Sequence, residues 1–262
     1  MRYALCEKMF QTFFYQPILN LLVAIYNIVP GNDLGIAIIL LTVIIKLILL
    51  PLSKQSIKSQ KALQTLQPKI EEIKKKYANK KEEMSRAMMA MYKENKVNPF
   101  SSCLPLIIQL PFLYAVFHVF REGFTNGSLD LVYSFISRPE AINSISLGIL
   151  DLSKPSPVLA VLAGLAQYWQ AKMMMSKKPE VKSKGAQDEN IMAAMNKQMV
   201  YFMPAITVFI GLSFPGGLAL YWLTTTVLTA LQQLYIFKHK DSSPSSNQDS
   251  GKKTIEGEVI SS

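Results

Sequence analysis

Apolar residues in this chain are bunched into long runs separated by charged stretches. In the run at residues 34–52, LGIAIILLTVIIKLILLPL, fourteen of nineteen positions are Leu, Ile or Val. At about 1.5 Å of rise per residue, a helix of this length nearly matches a hydrocarbon core of roughly 30 Å. Its single charge, Lys46, costs about 2.5–3.5 kcal/mol on insertion scales, and each Leu, Ile or Val contributes roughly 0.3–0.6 kcal/mol in the other direction. The apolar residues win, so the run is expected to span. Thr42 and Lys46 are four apart and share one helix face. An ionisable group at membrane depth points to function by default. The plain alternative is snorkelling, since Lys46 is only six residues from Leu52 and its stem can reach toward headgroups.

Four further apolar runs, at residues 101–121, 158–176, 198–214 and 217–237, bring the expected number of transmembrane helices to five. The second carries Pro105, Gln109 and Pro111, and prolines at membrane depth need neighbouring groups for the carbonyls they free. Gln167 lies toward the end of the third, and Trp222, Thr225 and Thr226 lie in the fifth. Residues 10–29 are also apolar but are interrupted by Gln16, Pro17, Asn20 and Asn27. An interfacial helix from Pro17 onward is the preferred reading of the N-terminal segment 1–33, with a further span as the alternative. Residues 122–157 hold only short apolar bursts and are expected outside the bilayer, partly as interfacial helix. The loop at 177–197 is polar and Lys-rich, and the Ser-rich tail at 238–262 has no apolar periodicity, so it is expected to be disordered.

Residues 53–100 change character. Between Lys54 and Lys96 stand eleven Lys and one Arg against five Glu. Leu63, Leu66, Ile70, Ile73 and Tyr77 step by three and four, the narrow seam of a coiled coil; Ala78-Asn79-Lys80 interrupts it, and Met84, Met88 and Met91 resume it. This predicts two antiparallel helices packed seam to seam, the first started or kinked by Pro68.

A net charge of +10 would suggest a nucleic-acid partner in a soluble protein, but its distribution follows the membrane instead. Of 28 Lys and Arg, 22 lie in the hairpin, in 172–197 and in the tail. The positive-inside rule puts these in the cytosol, with the N-terminus outside and the C-terminus inside. Two cysteines are too few for a disulfide framework or metal cluster. His118 has no Cys, Asp or Glu at ligand spacing and reads as an interfacial side chain. No phosphate-binding G-x-x-x-x-G-K-[ST] motif is present, no cofactor or metal is implied, and no enzyme chemistry is expected.

Several stretches carry a resemblance: Gly31-Asn32; Thr42-x-x-x-Lys46 followed by Pro51-Leu52; Leu66-Gln67-Pro68-Lys69-Ile70; Asn98-Pro99; Cys103-Leu104-Pro105-Leu106-Ile107-Ile108-Gln109-Leu110-Pro111; and Phe214-Pro215-Gly216-Gly217-Leu218-Ala219-Leu220-Tyr221-Trp222. In this order they resemble the YidC family of membrane protein insertases, in the short form without a large extracytoplasmic domain. The family usually has Arg where Lys46 stands; Lys keeps the charge and lacks the planar fork. The resemblance implies an all-α integral membrane protein of a bacterial cell membrane, its five helices enclosing a hydrophilic groove beside a cytosolic helical hairpin. Groove residues here would be Lys46, Thr42, Gln109, Gln167, Trp222, Thr225 and Thr226, binding nascent membrane protein clients. The hairpin would dock the Sec translocon, the signal-recognition machinery or the ribosome. The tail, with four Lys and four acidic residues, differs from the strongly basic tails that engage ribosomes in some relatives.

Eleven of thirteen Met fall in the hairpin or near the inner membrane face, where adaptable thioethers suit varied apolar partners and equally suit gap-filling. The rival class is a small-solute transporter or channel. It would favour polar groups on both sides of the midplane and an internal repeat, and the sequence shows neither a repeat nor an Asp or Glu inside any expected span.

Overall fold

The computed structural model describes residues 8–77, 80–98, 104–121, 129–174 and 198–241, and these are mostly helical. The expectations for the 177–197 loop, for nearly all of the tail, for Cys6 and Cys103, and for the break at Ala78-Asn79 lie outside the described residues.

A π-turn, Gln11–Tyr15, runs into α1 (Gln16–Ile28). The polar residues that interrupt this apolar stretch are used inside the protein. Gln16 Nε2 and Asn20 Nδ2 each donate to Leu131 O at 3.1 Å, Asn20 Oδ1 accepts from Tyr133 N at 2.6 Å, and Asn27 Nδ2 donates to Ser137 O at 2.6 Å. Ile18, Leu19, Leu22, Val23, Ile25 and Tyr26 are buried, so α1 is held by the protein over much of its surface.

α2 (Leu34–Ile48) starts at Asp33, whose carboxylate accepts from Ile36 N at 3.0 Å as an N-cap. It stops short of the end of its apolar run. Pro51 has no N–H to give and crowds the carbonyl of the preceding turn. The chain bends by 71° into α3 (Leu50–Thr65). α4 (Gln67–Lys76), with Pro68 in its first turn, and α5 (Lys81–Glu94) form the hairpin. Leu66, Ile70 and Met91 bury one another there, flanked by Ile73, Tyr92 and Val97, and burial raises the Tyr92 pKa.

α6 (Leu104–Arg121) leads to residues 129–156, which carry a two-stranded antiparallel hairpin, β1 (Ile145–Ser146) and β2 (Leu150–Asp151), with Ser146 opposite Leu150. α7 (Pro157–Met174) follows. A π-turn at Gln198–Phe202 then enters α8 (Met203–Ser213), and α9 (Gly216–Asp241) ends the described chain. α7 and α8 meet through small residues: a β-carbon at Gly164 would strike Val208, and one at Gly211 would strike Ala160.

One core dominates. It joins α1, the first half of α2 (Leu34, Ala37, Ile38, Leu41), the last turns of α6 (Ala115, Val116, Val119, Phe120), and Leu129, Leu152, Leu159, Leu218, Ala219 and Tyr221. The 144–156 segment straps it. Ser146 Oγ and Leu147 N donate to Asp33 at 2.7 and 2.6 Å, and Gly216 N and Gly217 N donate to Lys154 O and Leu152 O at 2.8 and 3.0 Å. The strap thus accepts from the first N–H groups of α9 and steadies the Asp33 carboxylate that caps α2. Asp151 anchors it through the Ser153 hydroxyl and amide, which with Lys154 and Ser144 hold its carboxyl well below the usual range.

Among the described residues, no single helix is both long and apolar enough to cross a membrane unaided, whereas α2 and α3 together reach that mark as a bent pair. The polar residues within the apolar helices lower their hydropathy: α9 alone carries Thr224, Thr225, Thr226, Thr229, Gln232 and Gln233.

Candidate functional site

Tyr221, Thr225 and Thr229 recur every four residues and form a polar line along α9. Helical rise sets the two ends of this line about 12 Å apart. At one end Gln109 Nε2 of α6 donates to the buried Tyr221 hydroxyl. At the other, Lys46 Nζ of α2 donates to Thr229 Oγ1 at 2.8 Å. Thr229 has already given its own proton to Thr225 O at 2.6 Å, so its oxygen lone pairs are free to accept from the ammonium. Between the two ends, Thr225 Oγ1 is buried; the Tyr221 hydroxyl approaches it without a well-formed hydrogen bond. One turn past Thr229, the side chain of Gln233 is buried with its Oε1 unpartnered.

Of the residues singled out from sequence, Lys46 and Gln109 therefore meet the same helix as Thr225. Thr42 is buried one turn before Lys46, and its hydroxyl donates to Ile38 O at 2.7 Å, a bond within its own helix. Thr226 is buried on α9, and Trp222 beside it is half-buried. Gln167 is engaged elsewhere: its Oε1 accepts from Thr207 Oγ1, bridging α7 to α8. Sequence reasoning did not select Thr229, Thr207 or Gln233. The four-residue spacing of Tyr221, Thr225, Thr229 and Gln233 was the available signal, while Thr207 stood out only as a lone hydroxyl in an apolar run.

Lys46 is half-buried, and no Asp or Glu occurs in α2, α6, α7 or α8, or in α9 before its terminal Asp241. Its protein partner is a neutral hydroxyl, so the arrangement orients the cation without cancelling its charge. In surroundings of reduced dielectric, such a charge acts on an approaching anion far more strongly than it would in water. His118 packs edge-on to Tyr114 at 4.4 Å between ring centroids, with Phe117, Tyr15 and Phe10 around it. Among the described residues, no three His, Cys, Asp or Glu are grouped so as to hold a metal.

Comparison with known proteins adds the lineage. A protein from Fusobacterium nucleatum named membrane protein insertase YidC is 36% identical over 79% of this chain and 87% of its own length. Proteins of the same name from Streptomyces avermitilis and Geobacter sulfurreducens are 31% and 37% identical over 82% and 84% of this chain. The chain spans only 55% and 36% of the lengths of those two. The model of the family described as the 60Kd inner membrane protein matches residues 24–243, a stretch that holds Lys46, Gln109, Gln167 and the whole polar line of α9, and the chain belongs to that family.

Proposed function

We propose that this protein is a bacterial membrane protein insertase that lowers the cost of moving short polar segments of nascent membrane proteins across the bilayer. The observation that carries this reading is Lys46, a cation in an apolar helix, turned toward α9 and bonded to a neutral hydroxyl. A structural charge would be paired with a carboxylate; an unneutralised one suits an anionic visitor. The names borne by the relatives support the same activity, and they are names of an insertase, not of an enzyme.

In this reading, α2 with the start of α3, α6, α7, the stretch from Gln198 through α8, and α9 are the five spans. Lys46, Thr42, Gln109, Gln167, Trp222, Thr225 and Thr226 line a hydrophilic groove open toward the hairpin end. Acidic tails or loops of clients are drawn to Lys46, and their apolar helices pass into lipid along the open side. The N-terminus lies outside and the C-terminus in the cytosol, as the basic residues favour. The hairpin offers cations to anionic headgroups and to the Sec translocon, the signal-recognition machinery or the ribosome. Vesicles containing the purified protein should insert a short single-span client and should show no uptake of small solutes. Solute uptake without client insertion would instead support the rival transporter.

A further inference from the structure

Among the described residues, Ile149 has the most exposed large apolar side chain, at 88%, and Leu147 beside it is 73% exposed. Both sit at the tip of the β1–β2 hairpin. Leu147 and Gly148 have φ of 51° and 74°, and Ile149 N donates to Ser146 O at 3.2 Å, the sign pattern of a type I′ turn. Such turns favour Asn-Gly, because a left-handed backbone crowds the β-carbon of most residues. Leucine is a poor choice for the turn and a poor choice for water. Two separate disadvantages at one position point to a use for the side chain.

The surroundings identify the occupant. The hairpin is fixed in height, because Ser146 and Leu147 are bonded to Asp33 at the start of α2. Gly35 leaves no room for a β-carbon beneath Ser146, so β1 lies against the first turn of that helix. The same Asp33 caps Ile36, which begins the exposed apolar stripe of α2 continued by Ile39, Leu40 and Leu47. Leu147 therefore stands at the Asp33 end of this apolar stripe, on a helix that together with α3 is long and apolar enough to cross a membrane. On β1 Ile145 is exposed and Ser146 is buried against Asp33, and at the turn Leu147 is exposed.

We infer that the β1–β2 hairpin is a lipid anchor, with Leu147 and Ile149 immersed in the interfacial layer of the leaflet at the Asp33 end of the bundle. The anchor holds the strap, and through it the N-termini of α2 and α9, at a fixed depth. This assigns residues 144–152 a membrane contact of their own, independent of the client site.

Spin labels at Leu147→Cys, Ile149→Cys and Glu140→Cys, with Cys6 and Cys103 replaced by Ser, test it in vesicles of phosphatidylcholine and phosphatidylglycerol. Oxygen concentrates in hydrocarbon and a nickel chelate stays in water. Labels at 147 and 149 should favour oxygen, and the label at exposed Glu140 should favour nickel. Nickel preference at 147 and 149 would overturn the inference, as would low access to both reagents, which signals a protein cover. Adding Leu147→Asn, which suits the turn better, should shift the label at 149 toward nickel; no shift would mean that the leucine does not hold the tip in lipid. None of these readouts depends on client insertion.

Discussion

In α6, Ala115, Val116, Val119 and Phe120 belong to the main core, while Ile107 and Leu110, two turns back toward the hairpin, are exposed. α2 and α9 repeat this division. Leu34, Ala37, Ile38, Leu41 and Ile45 of α2 and Leu218, Ala219 and Tyr221 of α9 reach the core, whereas Leu47, Ile48, Leu231, Leu234 and Tyr235 are exposed. At the Asp33 end, side chains interlock and one strap contacts two helix N-termini, donating to the Asp33 cap of α2 and accepting from Gly216 N and Gly217 N of α9. Toward the hairpin, Ile57, Ala230 and Ile236 are buried outside that core, and polar contacts join the helices: Lys46 to Thr229, Lys61 Nζ to Phe237 O at 3.2 Å, and Gln64 Nε2 to Met174 O at 3.0 Å. A molecule closed by one large core at one end, and held by smaller apolar contacts and hydrogen bonds at the other, can part its helices at the second without unfolding at the first. In the insertase reading, that asymmetry is what lets a client enter from one side only.

The comparison is sharpest for core truncation. Leu19→Ala, at a fully buried position, should cost about 2–5 kcal/mol, whereas Leu47→Ala, exposed near the bend, should stay within about 0.5 kcal/mol. Unfolding in mixed micelles checks both, and equal losses would dissolve the distinction between the ends.

The strap comes next. Asp33→Ala removes an N-cap and both hairpin contacts and should cost about 2 kcal/mol. Burial alone would raise the Asp33 pKa, but the amides of Leu147, Ile36 and Gly35 and the Ser146 hydroxyl together lower it. A carboxyl with a depressed folded pKa contributes stability that is complete above its unfolded value, about 3.9, and is lost as pH falls through the folded value. Thermal stability should therefore fall at acid pH in the native protein, and Asp33→Asn should flatten that part of the profile. An unchanged profile would mean that the strap does not rest on this carboxylate.

The smallest effect belongs to the hairpin side. Gln64→Ala removes one hydrogen bond to the end of α7 and should cost about 1 kcal/mol or less. Amide exchange in α3 should quicken while α1 stays protected. Equal quickening in α1 would mean that the two ends open together.

The separate elements were more legible in sequence than their meeting points. The 34–52 run, the shared face of Thr42 and Lys46, and the seam of Leu66, Ile70 and Met91 are local patterns, and local patterns follow from the helical period. The bend before Pro51 was not read, because the apolar run continues through the proline and hides the break. The partners were not readable: 183 residues separate Lys46 from Thr229, and 115 separate Gln16 from Leu131. Gln16, Asn20 and Asn27 look like interruptions of an apolar helix until the carbonyls of 131 and 137 stand opposite them. The expectation of interfacial helix in 122–157 also missed the hairpin, since two-residue strands leave no periodicity to detect.

The central claim is that Lys46 is an uncancelled charge kept for client carboxylates. Its most direct test is protease protection of two matched clients, one with acidic residues in the translocated segment and one with those residues changed to Asn or Gln. Each is inserted by Lys46→Arg, Lys46→Ala and Lys46→Glu variants at equal expression. The account predicts that Lys46→Arg retains or improves insertion of the acidic client, because Arg keeps the charge and adds bidentate geometry. Lys46→Ala should impair that client and Lys46→Glu should impair it further, with both defects shrinking for the neutralised client. Equal insertion of the acidic client by the native protein and by the Ala and Glu variants would contradict the claim.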